Sequence, residues 1–194
     1  MKLTFATHNE NKAFELKNLV PERYQLQTLG ELGMHEDIPE TGSSLEENAL
    51  IKARYYHGKT GEPCIADDTG LEVAALQGAP GVYSARYAGE AATSQDNVTK
   101  LLSELKERLD REARFRTVIA FIDHDGREYL FEGIVKGRIT TTARGEKGFG
   151  YDPVFQPEGY PLTFAQMDAA EKNEISHRGK AVRQFIRFLQ EQKS

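Results

Sequence analysis

Leu3-Thr4-Phe5-Ala6-Thr7-His8-Asn9-Glu10-Asn11-Lys12, followed by apolar Ala13, Leu16, Leu19 and Val20, sets the character of the chain. Residues 3–6 are a short apolar run of strand type. After the polar Thr7-His8-Asn9 the apolar positions recur at helical spacing until Pro21 stops them. The stretch reads strand, turn, helix.

Working outward, Tyr24 to Leu29 reads as a second strand, and the polar, glycine-bearing stretch through Gly42 as a long loop of functional type. Ser44-Leu45-Glu46-Glu47 fits a capping box, and Leu45, Ala49, Lys52, Ala53 and Tyr56 then share one helical side, with a stop expected near Gly58. Pro63 to Ala66 reads as a short strand ending on Asp67-Asp68-Thr69-Gly70, with a separate apolar piece at Leu71 to Leu76. Val98, Leu101, Leu102, Leu105 and Leu109 mark an amphipathic helix. Its mixed charges, Glu104, Lys106, Glu107, Arg108, Asp110 and Arg111, read as a solvated face. Thr117 to Asp123 and Glu128 to Val135 flank His124-Asp125-Gly126, a hairpin signal, and Val182, Phe185, Ile186 and Leu189 draw a C-terminal helix.

Composition limits the function. The 194 residues suit one domain, and 39% hydrophobic with 28% charged residues suits a globular chain with a real core. No apolar run approaches the roughly 20 residues of a bilayer span, and the first apolar stretch is too short for an export signal. Cys64 is the only cysteine, which excludes an intrachain disulfide and fits a cytoplasmic location. Five histidines without metal-type pairing argue against structural zinc. A net charge of −5 argues against a nucleic-acid polymer as partner, so an anionic ligand needs a local basic pocket.

Four places carry candidate chemistry. Thr7, Asn9 and Lys12 lie where strand passes into helix, a geometry that presents free amides to a phosphate; Thr and Asn are equally good N-caps, and an exposed Lys is ordinary. Asp67 and Asp68, adjacent in extended chain, point to opposite sides, so one can face a cleft with an acid from residues 36–47 and hold Mg²⁺; a turn or cap accounts for them as well. Gly148-Phe149-Gly150-Tyr151-Asp152-Pro153 suits a flat heterocycle, or a glycine-rich turn with its aromatic residues plugged into the core. Residues 171–183 carry four basic side chains, Lys172, Arg178, Lys180 and Arg183, against two acidic ones.

These blocks occur together with Glu47-Asn48-Ala49 through Lys52-Ala53, Gly78-Ala79-Pro80-Gly81-Val82-Tyr83-Ser84-Ala85-Arg86 and Ser176-His177-Arg178. In that order and spacing, from residue 3 to about 190, the chain resembles the inosine/xanthosine triphosphate pyrophosphatase family. The resemblance implies an α/β fold: an elongated mixed β-sheet flanked by helices, with two lobes around a nucleotide-binding cleft in a single domain over residues 1–194. It implies a homodimer and Mg²⁺-dependent hydrolysis of ITP, dITP and XTP to monophosphate and pyrophosphate, with one Mg²⁺ per subunit.

Carried over by motif, Thr7, His8, Asn9, Glu10, Asn11 and Lys12 line the triphosphate site and Lys52 adds charge. Glu40 and Asp68 hold the metal, Asp68 also serves as general base, and Thr69 touches substrate. Phe149, Gly150, Tyr151, Asp152, Lys172, His177 and Arg178 form the base and sugar pocket. His8 stands where relatives often have Gly, and Thr69 where they often have Ser. Donors from Arg178 or His177 satisfy a 6-keto oxygen and confront a 6-amino group, which disfavours ATP. Two other readings are a Maf-type pyrophosphatase acting on pyrimidine or modified nucleotides, and a catalytically silent nucleotide-binding module.

Overall fold

The computed structural model describes residues 2–192. Lys2–Phe5 forms β1, Glu10–Leu19 α1 and Gln25–Thr28 β2. β1 and β2 pair in parallel, Lys2 opposite Gln25 and Phe5 opposite Thr28, as a helical crossover allows. The strand–turn–helix reading of the opening residues therefore becomes a βαβ unit.

Leu45–Thr60 forms α2. Ser44 Oγ accepts from the Glu47 amide at 3.2 Å, whereas the Glu47 carboxylate is held by the amide and hydroxyl of Ser43, one residue outside the expected box. The helix passes the expected stop at Gly58, because Gly61, at φ +67°, supplies the left-handed cap and donates its N–H to His57 O at 2.8 Å.

Cys64–Val73 is one unbroken strand, β3, parallel to β1 with Thr4 opposite Cys64 and Phe5 opposite Ile65. The break expected at Asp67–Gly70 does not occur. Buried ammonium groups stand beside both Asp67 and Asp68, so the acidic pair needs no exposed turn.

Pro80–Gly81, β4, pairs antiparallel with β3, and Ser94–Glu104 is α3, opened by a Thr93–Asp96 capping box. The apolar stripe ends sooner than its spacing suggests: α3 stops at Glu104 and Leu109 is fully exposed beyond it. Arg111 is not on a solvated face either. It is buried, donating to the carbonyls of Leu105 (2.8 Å), Ile139 (2.7 Å) and Thr140 (2.8 Å).

Glu112–Ile122 (β5) and Glu128–Ile139 (β6) form the hairpin, closed by Asp123 N–H to Arg127 O and Gly126 N–H to Asp123 O, both 3.1 Å. Phe155–Pro157, β7, runs antiparallel to β6, and Ala169–Ile175 (α4) and His177–Glu191 (α5) close the fold. Among the described residues seven strands share one mixed sheet, ordered β2-β1-β3-β5-β6-β7 with β4 on β3. The mixed α/β class expected from the motifs is therefore the fold.

The chain divides into two compact units. The first comprises 1–68, 117–133 and 178–194, the second 69–116 and 134–177. The core of the first packs α1 and α5 on the sheet through Leu3, Phe5, Leu16, Ile65, Phe121 and Phe185. The second is centred on Leu71, Leu101, Phe115, Phe155 and Phe164.

Cys64 lies in β3 with no exposed surface, and burial pushes its thiol up to about 12. The native protein at pH 8 is expected to resist a thiol-specific chromogenic reagent and to release one equivalent once unfolded in guanidinium. Rapid native labelling would contradict this packing of β3.

Candidate active site

Parallel pairing of β1 and β3 sets the site. The Ala6 amide donates to Ile65 O at 2.7 Å, so Thr7 to Lys12 leave the carboxyl end of β1 beside the stretch of β3 that carries Asp67-Asp68. Ligands of parallel sheets commonly bind there. Asn9 caps α1, its Oδ1 accepting from the Lys12 amide at 3.1 Å, and Thr7 Oγ1 accepts from the Asn9 amide at 3.1 Å. The capping role of Asn9 is thus realised, but Lys12 is no ordinary surface lysine. Its ammonium is largely buried, 3.2 Å from Asp67 Oδ1. Glu10 and Asn11 are exposed on the first turn of α1.

Alternation along β3 gives the two aspartates different partners. Asp67 Oδ2 accepts from Arg178 Nε at 3.2 Å and Nη2 at 3.1 Å, and Arg178 Nη1 also donates to Glu15, one helical turn from Lys12. Asp68 Oδ1 lies 3.8 Å from Lys52 Nζ. Lys52, on α2, donates to Glu40 Oε1 and to the carbonyl of Asp67, each at 2.7 Å.

The electrostatic consequences differ as well. Burial alone would raise Asp67, but Lys12, Arg178 and Lys52 together hold its carboxyl well below the usual range. Burial lifts Asp68 and the neighbouring Glu40 charge adds to the lift, against the pull of Lys52 and Lys12. Burial also depresses Lys12, only partly offset by Asp67, while for Lys52 the charges of Asp68, Glu40 and Asp67 outweigh burial and raise it. Asp67 is a permanent counter-ion, and Asp68 is the more basic carboxylate of the pair.

The sequence motifs thus bring Lys12, Glu40, Lys52 and Asp68 together. They assigned no role to Asp67 and Glu15. The period-two alternation of a strand already set Asp67 on the side opposite Asp68 without naming its partners, and i, i+3 spacing from Lys12 was the signal for Glu15.

Arg178, expected in the base pocket, is 1% exposed, and its guanidinium donates to Asp67 and Glu15. Two buried carboxylates attract the one side chain with a fork of donors. His8 likewise turns its imidazole toward Glu36 O (2.9 Å) and Tyr56 Oη (3.2 Å).

The second unit holds the remaining candidates. Lys172 Nζ donates to Asp152 Oδ2 at 2.6 Å, both residues being buried, and lies 4.9 Å from the Phe149 ring centre. The Phe149 amide donates to the same carboxylate oxygen at 2.9 Å. Gly148, at φ +72°, admits this arrangement because any β-carbon there would collide with the Asp152 carboxylate. Phe149 and Gly150 are half-buried, whereas Tyr151 belongs to the core and donates its hydroxyl to Ser84 O at 2.7 Å. For Tyr151 the core reading prevails over a base-gripping one. His177 is buried with its ring stacked on Phe115, centres 4.6 Å apart, and Thr69 is half-buried after Asp68.

For a divalent cation the donor set is two carboxylates, Glu40 and Asp68, addressing one ammonium. Among the described residues no group of three or more His, Cys, Asp or Glu could form a protein cage. Hard oxygens in that number fit Mg²⁺, which takes one or two carboxylates and completes its shell with water and substrate phosphate.

Against known proteins, the Ham1 family model matches residues 3–188. The chain belongs to the Ham1 family. A relative from Flavobacterium psychrophilum, named dITP/XTP pyrophosphatase, is 51% identical over 97% of this chain and 99% of its own. One from Porphyromonas gingivalis with the same name is 52% identical over 97% of each. Among solved structures, the Staphylococcus aureus Ham1 protein superimposes with a TM-score of 0.90 at 40% identity, covering 99% of this chain and all 100% of that one. The nucleoside-triphosphatase / dITP/XTP pyrophosphatase of Mycobacterium abscessus gives 0.78 at 40% identity, over 95% and 98%. Ham1 membership accounts for the mixed sheet and for the motif order together.

Two outcomes follow from the buried charges of this Ham1 chain. Arg178→Met strands Asp67 and Glu15 and should lower stability by about 3–5 kcal/mol in urea unfolding at pH 7. Because the folded pKa of Asp67 is depressed, its contribution is complete above the unfolded value near ~3.9 and is lost as pH falls through the folded value. Unfolding of the wild type between pH 5 and 3 should therefore take up more protons than that of Asp67→Asn, by up to about one. Equal slopes of stability against pH would remove Asp67 from this role.

Proposed function

We propose that this chain hydrolyses non-canonical purine nucleoside triphosphates, ITP, dITP and XTP, to the monophosphate and pyrophosphate. The observation that carries the reading is Asp68, a buried carboxylate lifted above its ordinary range beside Lys52, in a family whose named relatives are dITP/XTP pyrophosphatases. A tetra-anionic tail cannot approach a chain of net charge −5 without local cations. Lys12 and Lys52, each held in place by an acidic partner, supply that charge, and the capped start of α1 adds the positive end of its dipole.

In this reading Asp68 orients the attacking water and takes its proton, and the electron pair of the α–β bridge leaves with pyrophosphate, so no covalent enzyme intermediate forms. Mg²⁺, one per subunit, neutralises phosphate oxygens when bound, and Glu40 and Asp68 are the residues that would hold it. Thr7, Asn9 and neighbouring amides receive the phosphates, and Thr69 lies next in line after Asp68.

The half-buried ring of Phe149 stacks on the base. Lys172, held by Asp152, is the donor best suited to a 6-keto oxygen, and His177 is the second candidate. A 6-amino group would place donor against donor, so ATP is rejected by roughly ten- to hundredfold for each such contact of ~1–3 kcal/mol. We also propose that the protein works in the cytoplasm as a homodimer over the full chain; exposed Leu109 and Tyr83 are apolar surface of the kind a second copy covers.

Purified protein with Mg²⁺ is expected to convert ITP to IMP and pyrophosphate, and Asp68→Asn to lose at least about a hundredfold in kcat with an unchanged circular-dichroism spectrum. Orthophosphate with IDP as first products, a preference for UTP or dTTP, or full activity in Asp68→Asn would each overturn the assignment.

A further inference from the structure

The loop between β2 and α2, residues 29–44, contains Glu40, the candidate metal ligand, yet has no regular element to hold it. A loop of this length is positioned only by ties to its surroundings. At its far end the Gly42 amide donates to Asn48 Oδ1 at 2.8 Å, and a β-carbon on Gly42 would press on Asn48 and Glu47 at 2.7 Å. Gly42 is therefore fixed against α2.

The second tie is at mid-loop and converges on one residue. The Glu36 carboxylate accepts from Tyr55 Oη and Lys59 Nζ of α2. The Glu36 carbonyl accepts from Tyr56 Oη at 2.7 Å and from His8 Nε2 at 2.9 Å, with Asp37 Oδ1 3.8 Å from the same nitrogen. Tyr56 is itself buried, so its hydroxyl is a fixed post. His8 links this loop to the turn that follows β1. A carbonyl only accepts, so Nε2 carries the proton here, which the imidazolium and the Nε2–H tautomer both satisfy.

Between the ties lie residues 37–41, with Glu40 among them. Pinning both ends of five residues limits how far a carboxylate in the span can move from Lys52. We propose that His8 is a positioning residue: its imidazole latches the middle of this loop to the turn bearing Thr7, Asn9 and Lys12, and so holds Glu40 at the site. It rests on the proposed function only in taking Glu40 as a metal ligand.

Amide hydrogen exchange on the substrate-free protein tests the latch itself. In His8→Ala, peptides covering residues 34–41 should exchange about fivefold faster than in the wild type, the factor one net hydrogen bond carries. His8→Gln, which returns an N–H donor of similar reach, should restore protection. Tyr56→Phe, which removes the other donor to the same carbonyl, should loosen the same peptides. In turnover of ITP, His8→Ala should raise the Mg²⁺ concentration giving half the maximal rate by about the same factor, and His8→Gln should return it toward the wild-type value. Unchanged exchange in His8→Ala, or His8→Gln as loose as His8→Ala, overturns the latch. Absence of ITP turnover in the wild type would instead defeat the proposed function and leave the exchange result standing.

Discussion

The ion pair between Asp67 and Arg178, reinforced by Lys12 and Glu15, is the constraint on which the site of the first unit depends. Four charged groups in the interior are tolerable only when each is matched, since an unpaired one costs several kcal/mol. Because they are matched, β3 can continue straight through two adjacent acids, and Asp68 emerges on its other side beside Lys52. The network thus fixes where Asp68 stands without taking it as a member.

The division of labour between the two aspartates follows from one geometric fact. Successive side chains of a strand point to opposite faces, so Asp67 and Asp68 meet different partners despite being covalent neighbours. One is surrounded by three cations and is ionised at any working pH; the other is opposed by Glu40 and lifted by burial. Two titratable groups pushed apart in this way are the usual arrangement for separating a structural charge from a chemical one.

Much of this was legible in the sequence wherever local physics decided the outcome. The βαβ opening, the cap at Ser44, the hairpin about Asp125-Gly126 and the buried face of the last helix all follow from short-range patterns. The motif order named the family, and it brought Lys12, Glu40, Lys52 and Asp68 to one place. What escaped depended on partners distant in the chain. Arg178 lies 111 residues from Asp67 and 163 from Glu15, so no local pattern could announce that its donors are engaged there. Tyr151 reads equally as a base contact or a core residue until Ser84 O is seen to accept its hydroxyl. Arg111 looks like one more surface charge until three carbonyls, two of them on or next to β6, close around it.

The tight fit of Asp152 beneath Gly148 has a consequence for how such a protein can diversify. With the carboxylate filling the space any side chain at 148 would need, and also holding the Phe149 amide and the Lys172 ammonium, position 148 is closed to variation. Variation in this turn is left to position 149, where the half-buried aromatic surface imposes no such steric veto.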